Sequence, residues 1–138
     1  MSAAVAAARP APDSIIADIA DYVLRYRIRS ARAVETAHWC LVDSLGCAFE
    51  ALAYPDCVKL LGPHVAGTVV PHGARVPGTP HVLDPVKAAF DLGALVRWLD
   101  YNDAFNGETV VHPSDCFGGI LAAADWASRT RVAQGRAP

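Results

Sequence analysis

The chain has little charge, few aromatic residues and no paired cysteine motif, and each shortage closes off a class of protein. Only 19% of its 138 residues are charged and 8% aromatic, and the formal net charge is −2. No basic face is left over for a nucleic-acid partner. The apolar stretches are interrupted by charged residues, well short of the ~20 residues that span a bilayer, so no membrane segment is expected. Cys40, Cys47, Cys57 and Cys116 form no CxxC pair and follow no secretory leader. They read as reduced thiols used for packing, in a cytoplasmic protein.

Hydrophobic residues, by contrast, make up 53% of the sequence, enough for a packed globular unit. Met1 to Pro12 is alanine-rich with two prolines and one arginine. It lacks the apolar block of a signal peptide and reads as a flexible leader. Residues 13–138 carry no internal repeat and read as one all-α unit.

Asp13 and Ser14 are placed to cap a first helix running to about Arg27, with Ile15, Ile19, Tyr22, Val23 and Tyr26 at helical spacing as its buried stripe. Ser30 opens a longer helix to about Ala53, whose inner face reads Val34, Ala37, Leu41, Leu45, Ala48 and Leu52. Gly46 within it costs about 1 kcal/mol relative to alanine, which close approach by another helix would justify. A short helix is expected around Cys57 to Leu61. From Gly62 to Pro80, four prolines and four glycines exclude a long regular element, leaving brief extended pieces at Val69-Val70 and Arg75-Val76.

Asp84-Pro85 is a strong start signal, a cap followed by proline at the first helical position. That helix is predicted to reach about Trp98 with Val86, Ala89, Phe90, Gly93, Leu95 and Val96 inside. A loop from Asp100 to Val111 follows, and His112-Pro113-Ser114 opens a last helix to about Arg129 with Ser114 as its cap.

Polar residues concentrate in Asp100-Tyr101-Asn102-Asp103 and His112-Pro113-Ser114-Asp115. A helix start presents unpaired N–H groups and partial positive charge, which favour an anionic ligand and keep a nearby imidazole neutral, as a general base requires. Two carboxylates and an imidazole on one loop form an acid–base set, although Asp100 and Asp103 equally suit capping of helix ends. One histidine with scattered carboxylates has no metal-ligand spacing, so neither a metal nor another cofactor is expected. His38 reads as packed or solvated, and His64, His72 and His81 as surface or turn residues. Arg75 suits either a structural ion pair or a substrate carboxylate. Asp43 reads as a buried hydrogen-bond partner.

Trp98-Leu99-Asp100-Tyr101-Asn102-Asp103, with His112-Pro113-Ser114-Asp115 and Gly118-Gly119-Ile120-Leu121-Ala122, resembles the 2-methylcitrate dehydratase branch of the MmgE/PrpD family. So do Cys40-Leu41-Val42-Asp43-Ser44-Leu45-Gly46-Cys47, Gly73-Ala74-Arg75-Val76-Pro77-Gly78-Thr79 and Leu83-Asp84-Pro85-Val86-Lys87-Ala88-Ala89-Phe90. The resemblance extends over about residues 14 to 138.

It implies a two-part enzyme, a large helical domain with a smaller α/β lid, commonly a homodimer. Such enzymes dehydrate 2-methylcitrate to 2-methyl-cis-aconitate in propionate breakdown, without an iron–sulfur cluster, and a related branch decarboxylates cis-aconitate. The resemblance puts the family's site aspartate on Asp100 and its site histidine on His112, the catalytic candidates. Asp103, Ser114 and Arg75 are candidates for binding the tricarboxylate.

Two departures stand out. Ala104 occupies a position where the family commonly has threonine or cysteine, and Phe105 to Val111 replaces a tryptophan-rich segment. In length, too, the family continues beyond the segment that Gln134 to Pro138 resembles, so residues 13–138 read as part of the family's helical domain, with the lid and later site residues outside it. The chain is expected to need a complementary carboxy-terminal part or a second copy. A non-catalytic helical interaction module is the rival expectation.

Overall fold

A computed structural model describes residues 10–138. The expected leader falls largely on residues 1–9, outside the described residues. The described chain forms two compact units, one up to Val34 and one from Glu35 to Pro138. As expected, it is mainly helical.

The first unit contains α1 (Ser14–Arg25), begun by Asp13, whose carboxylate accepts the Ile15 N–H at 2.9 Å. Tyr26 adopts extended backbone and ends the helix before Arg27. The expected buried stripe is not buried: Ile15, Ile19, Tyr22, Val23 and Tyr26 are all well exposed. The periodicity is real, but no described residue of this unit is buried, so the stripe has nothing within the unit to pack against. Tyr22 and Tyr26 stack on one another with ring centroids 4.7 Å apart.

The long helix α2 (Ala31–Ala51) begins beside Ser30, whose hydroxyl accepts the Ala33 N–H at 3.2 Å. Of its expected inner face, Ala48 is buried and Leu41, Leu45 and Leu52 are half-buried, whereas Val34 and Ala37 are exposed. Asp43 is exposed too, correcting its reading as a buried partner; the buried polar side chain is the neighbouring Ser44, which donates to the Cys40 carbonyl at 2.6 Å. A Cβ at Gly46 would meet nothing within 4 Å, so no close helix approach accounts for that glycine. The short α3 (Pro55–Val58) starts two residues before its expected position, at a proline suited to the first turn.

Within Gly62 to Pro80 the extended pieces reduce to β1 (Ala74–Arg75), which pairs antiparallel with β2 (Val82–Leu83); Val69-Val70 forms no strand. Then α4 (Pro85–Arg97) opens as expected, with the Asp84 carboxylate accepting from Val86 and Lys87 N–H, each at 3.0 Å. Its buried face differs from the expected one. Leu95 and Val96 are buried, but Val86 is 79% and Phe90 55% exposed.

Lys87 and Asp91 turn inward instead and pair with each other. Lys87 Nζ also donates to the Leu60 carbonyl at 2.9 Å, and Asp91 accepts the Gly62 N–H at 2.8 Å. Burying two charges is tolerable only when such partners satisfy them, and here they clamp α4 to the turn after α3.

The last helix, α5 (Phe117–Ala133), packs on α4 through glycine. A Cβ on Gly118 would lie 2.7 Å from the Ala89 carbonyl oxygen and 2.9 Å from Gly93 N, so the two backbones all but touch. Ala48, Ala51, Cys57, Val76, Leu83, Leu92, Leu95 and Ala122 belong to the single apolar core of the second unit. No described helix is long and apolar enough to cross a membrane.

Candidate functional site

The segment between α4 and α5 is not a plain loop. Phe105–Asn106 (β3) and Val110–Val111 (β4) form an antiparallel hairpin, with Phe105 opposite Val111 and Asn106 opposite Val110. The sequence held a partial signal, with Gly107 as a turn residue and Thr109-Val110-Val111 as strand formers; the connection is the three residues 107–109, and Asn106 lies within β3. The consequence is geometric. Continued one or two residues past Phe105 and Val111, the pairing brings the Asp103 end of the segment beside His112.

There the contacts are direct. His112 Nδ1 lies 2.7 Å from the Asp103 carbonyl oxygen, and the Ser114 N–H donates to the Asp103 carboxylate at 3.2 and 3.3 Å. Ser114 is therefore not the cap of α5. It sits inside a 3-10 turn, Pro113–Cys116, that precedes the helix, and its own N–H is what Asp103 caps. The Asp115 N–H is likewise taken, by the His112 carbonyl at 3.0 Å. These N–H groups, expected to await an anion, are already partnered within the chain.

A carbonyl only accepts, so the proton shared with Asp103 belongs to His112 Nδ1, and the neutral ring carries its lone pair on Nε2. Half-buried and oriented by its backbone partner, this imidazole has the form a general base needs. Cys40 of α2 also borders Asp103. Burial above all, and then the Asp103 carboxylate, push its thiol above the ordinary range.

Asp100 lies at the other end of the cluster. Its φ of 56° is left-handed, a conformation aspartate tolerates better than most residues. The Asp100 N–H donates to the Arg97 carbonyl at 3.2 Å, and its carboxylate meets the Arg97 guanidinium at 2.7 Å. Arg97 further donates to Asn102 Oδ1 at 3.2 Å and approaches Asp115 at 3.6 Å. Buried Asn102 passes the connection on, donating to Ser114 Oγ at 2.5 Å.

The structure thus joins Asp103, His112 and Ser114 directly, and Asp100 to them through Arg97 and Asn102. These last two were not among the expected site residues. An arginine three residues before an aspartate at a helix end was the available sign. Arg75 is bonded elsewhere: its guanidinium forms a two-pronged pair with Asp125 of α5, the shortest contact 2.6 Å, and its N–H donates to the same carboxylate at 2.8 Å. This pair borders a cavity of ≈ 390 Å³ lined also by Leu41, Leu45, Pro77, Leu92 and Leu121. Ala104 presents an exposed methyl between Asp103 and the hairpin.

Residues 17–137 match the MmgE/PrpD N-terminal domain, and the match contains the whole cluster. The chain belongs to the MmgE/PrpD family. It is 60% identical over 132 residues to 2-methylcitrate dehydratase of Cupriavidus necator, covering 96% of this chain and 27% of that protein. Against 2-methylcitrate dehydratase of Escherichia coli K12 the identity is 59% over all 138 residues, 29% of that protein. A mitochondrial 2-methylcitrate dehydratase of Yarrowia lipolytica is 50% identical over 126 residues, 91% of this chain and 24% of that protein. The chain thus spans less than a third of the length of these curated relatives.

Proposed function

We propose that this chain supplies the amino-terminal acid–base part of a 2-methylcitrate dehydratase site. The observation that carries the reading is His112, its Nδ1 engaged by the Asp103 carbonyl at 2.7 Å and its Nε2 left to act. In the proposed step Nε2 takes a proton from substrate carbon, and the C–H electron pair becomes the new C=C bond. The neighbouring hydroxyl leaves as water on receiving a proton from a general acid. Asp100 serves proton delivery or positioning. Asp103 and Ser114 hold the histidine loop and border the bound tricarboxylate.

The cluster's one cation, Arg97, already faces two carboxylates, so the positive charge that holds a tricarboxylate comes from outside it. Arg75 would contribute only by loosening its pair with Asp125. The same reading includes a role in propionate breakdown, a cytoplasmic location, and pairing as a homodimer or with a complementary carboxy-terminal part.

A chimaera tests this directly, with these 138 residues replacing the matched segment of the Escherichia coli relative. We expect it to dehydrate 2-methylcitrate, followed by the absorbance of the conjugated double bond. His112→Ala should lower kcat by ~10²–10⁴-fold, the usual worth of a general base, while His38→Ala should leave it unchanged. The 138-residue chain alone should show no turnover. A folded chimaera without activity would overturn the function; one whose activity survives His112→Ala would overturn the site. The exposed apolar stripe of α1 favours a second reading, a helical interaction module, which an inactive but partner-binding chain would support.

A further inference from the structure

We infer that Arg97 is a positioning residue that holds Asp100 and the Asn102–Ser114 link in register for proton transfer, and is not a clamp for substrate carboxylates. The inference rests on the dehydratase reading above and adds a role for a residue of the same site. An arginine beside the site of a tricarboxylate enzyme invites the opposite assignment, because guanidinium is the natural partner of a carboxylate.

The contacts argue against that. Arg97 NH2 is 2.7 Å from Asp100 Oδ1, NH1 donates to Asn102 Oδ1 at 3.2 Å, and Nε lies 3.6 Å from Asp115 Oδ1. All three nitrogens face acceptors of the protein itself, and two of those acceptors are carboxylates. Each nitrogen of the fork is thus already turned toward a group of the protein.

Asp100 shows what the arrangement achieves. Both its backbone N–H and its carboxylate return to Arg97, at 3.2 and 2.7 Å. This double tether holds a non-glycine residue at φ 56°, a strained backbone conformation that persists only where its surroundings enforce it. On the other side, buried Asn102 has its oxygen on Arg97 and its nitrogen on Ser114 Oγ, and Ser114 N–H rests on Asp103, whose carbonyl holds His112. One guanidinium therefore reaches the aspartate directly and the histidine through a relay. Lysine at this position would keep the charge but, as a single point donor, could not serve three acceptors in a fixed fork.

Two measurements test the inference. In the chimaera, Arg97→Lys should lower kcat by about 10²-fold, the cost of misplacing a catalytic group by about 1 Å, with KM nearly unchanged; Arg97→Gln should lose more. A raised KM with intact kcat would make Arg97 a substrate clamp and overturn the inference, as would wild-type values of both. In the isolated chain, nuclear magnetic resonance of Arg97→Lys should show displaced amide signals for Asp100, Asn102 and Ser114, with those of Cys57 and Leu83 in place. Unmoved signals at the first three would also overturn it. Should Arg97→Lys fail to fold, Asn102→Ala cuts the relay at its next link and must reproduce the loss of kcat at constant KM; a wild-type kcat there counts against the inference. An inactive wild-type chimaera would defeat the dehydratase reading instead, and the amide signals alone would then decide whether Arg97 is the tether.

Discussion

Two helices of this chain begin alike and end in opposite environments. Both α1 and α4 open with an aspartate that accepts N–H groups of the first turn, Asp13 from Ile15 and Asp84 from Val86 and Lys87. Both carry apolar residues at helical spacing. Yet α1 buries none of its residues, while α4 buries Lys87, Ala88, Asp91, Leu92, Leu95 and Val96. The helix with the cleaner apolar stripe is the exposed one, and the helix that enters the core takes two charges with it. Capping and periodicity decide that a segment is helical and which face is apolar. Burial depends on what the helix's own compact unit presents to that face.

The largest expected effect lies in α4. Asp91→Ala would leave the Lys87 ammonium buried without its counter-charge, and should cost about 3–5 kcal/mol in urea unfolding. Replacing both partners, Lys87→Met with Asp91→Leu, should recover most of that loss, because apolar substitutes need no solvation. If Asp91→Ala proves nearly neutral, the inward pair does not organise this helix and the contrast with α1 weakens.

A smaller effect compares the two caps. Asp84→Ala removes an acceptor from two N–H groups and should lower stability by about 1 kcal/mol. Asp13→Ala removes the partner of a single N–H on a helix that buries nothing, and should appear mainly as lost helical signal in circular dichroism. Equal losses of stability would mean that α1 contributes to folding as much as α4 does.

The smallest effect concerns acid. The hydrogen bond from Arg75, foremost among its causes, holds the Asp125 carboxyl below the usual carboxylate range, against a burial that pushes it up. A carboxylate whose folded pKa is depressed adds stability that is fully present above its unfolded value, about 3.9. That contribution is lost as the pH falls through the folded pKa. Asp125→Asn should therefore flatten the stability profile below about pH 4 and change its shape little at neutral pH. An unchanged acid limb would show that the Arg75 pair does not couple α5 to β1 in solution.

The candidate site divides along a similar line. His112 and Asp100 were legible because they lie in a recognisable motif, and the acid–base logic of a histidine between helices needs only residue types. Arg97 had one local sign, Asp100 three residues on, but its approach to Asp115 and the Asn102–Ser114 bond join residues that the chain brings together only on folding. Asn102 and Ser114, bonded at 2.5 Å, are twelve residues apart, and the hairpin that unites them was read as a loop despite Gly107 and the strand formers after it. Gly46 and Gly118 make the same point in the core. The first looked like a packing glycine and meets nothing, whereas the second lies where α4 and α5 touch.

By itself the sequence determined where α1, α2 and α4 start, that the chain is mainly helical, and which short motifs mark its family. These depend on contacts between residues two to four apart, as at Asp13, Ser30 and Asp84, and such contacts form wherever the local chain goes. Tertiary structure alone decided that Lys87 and Asp91 face inward, that Val86 and Phe90 face outward, and that Arg97 serves three acceptors at once. Leu60 and Gly62 supply the missing bonds of the buried pair from 27 and 29 residues away. A charge goes inside only where distant backbone groups stand ready to receive it, and no local pattern announces them.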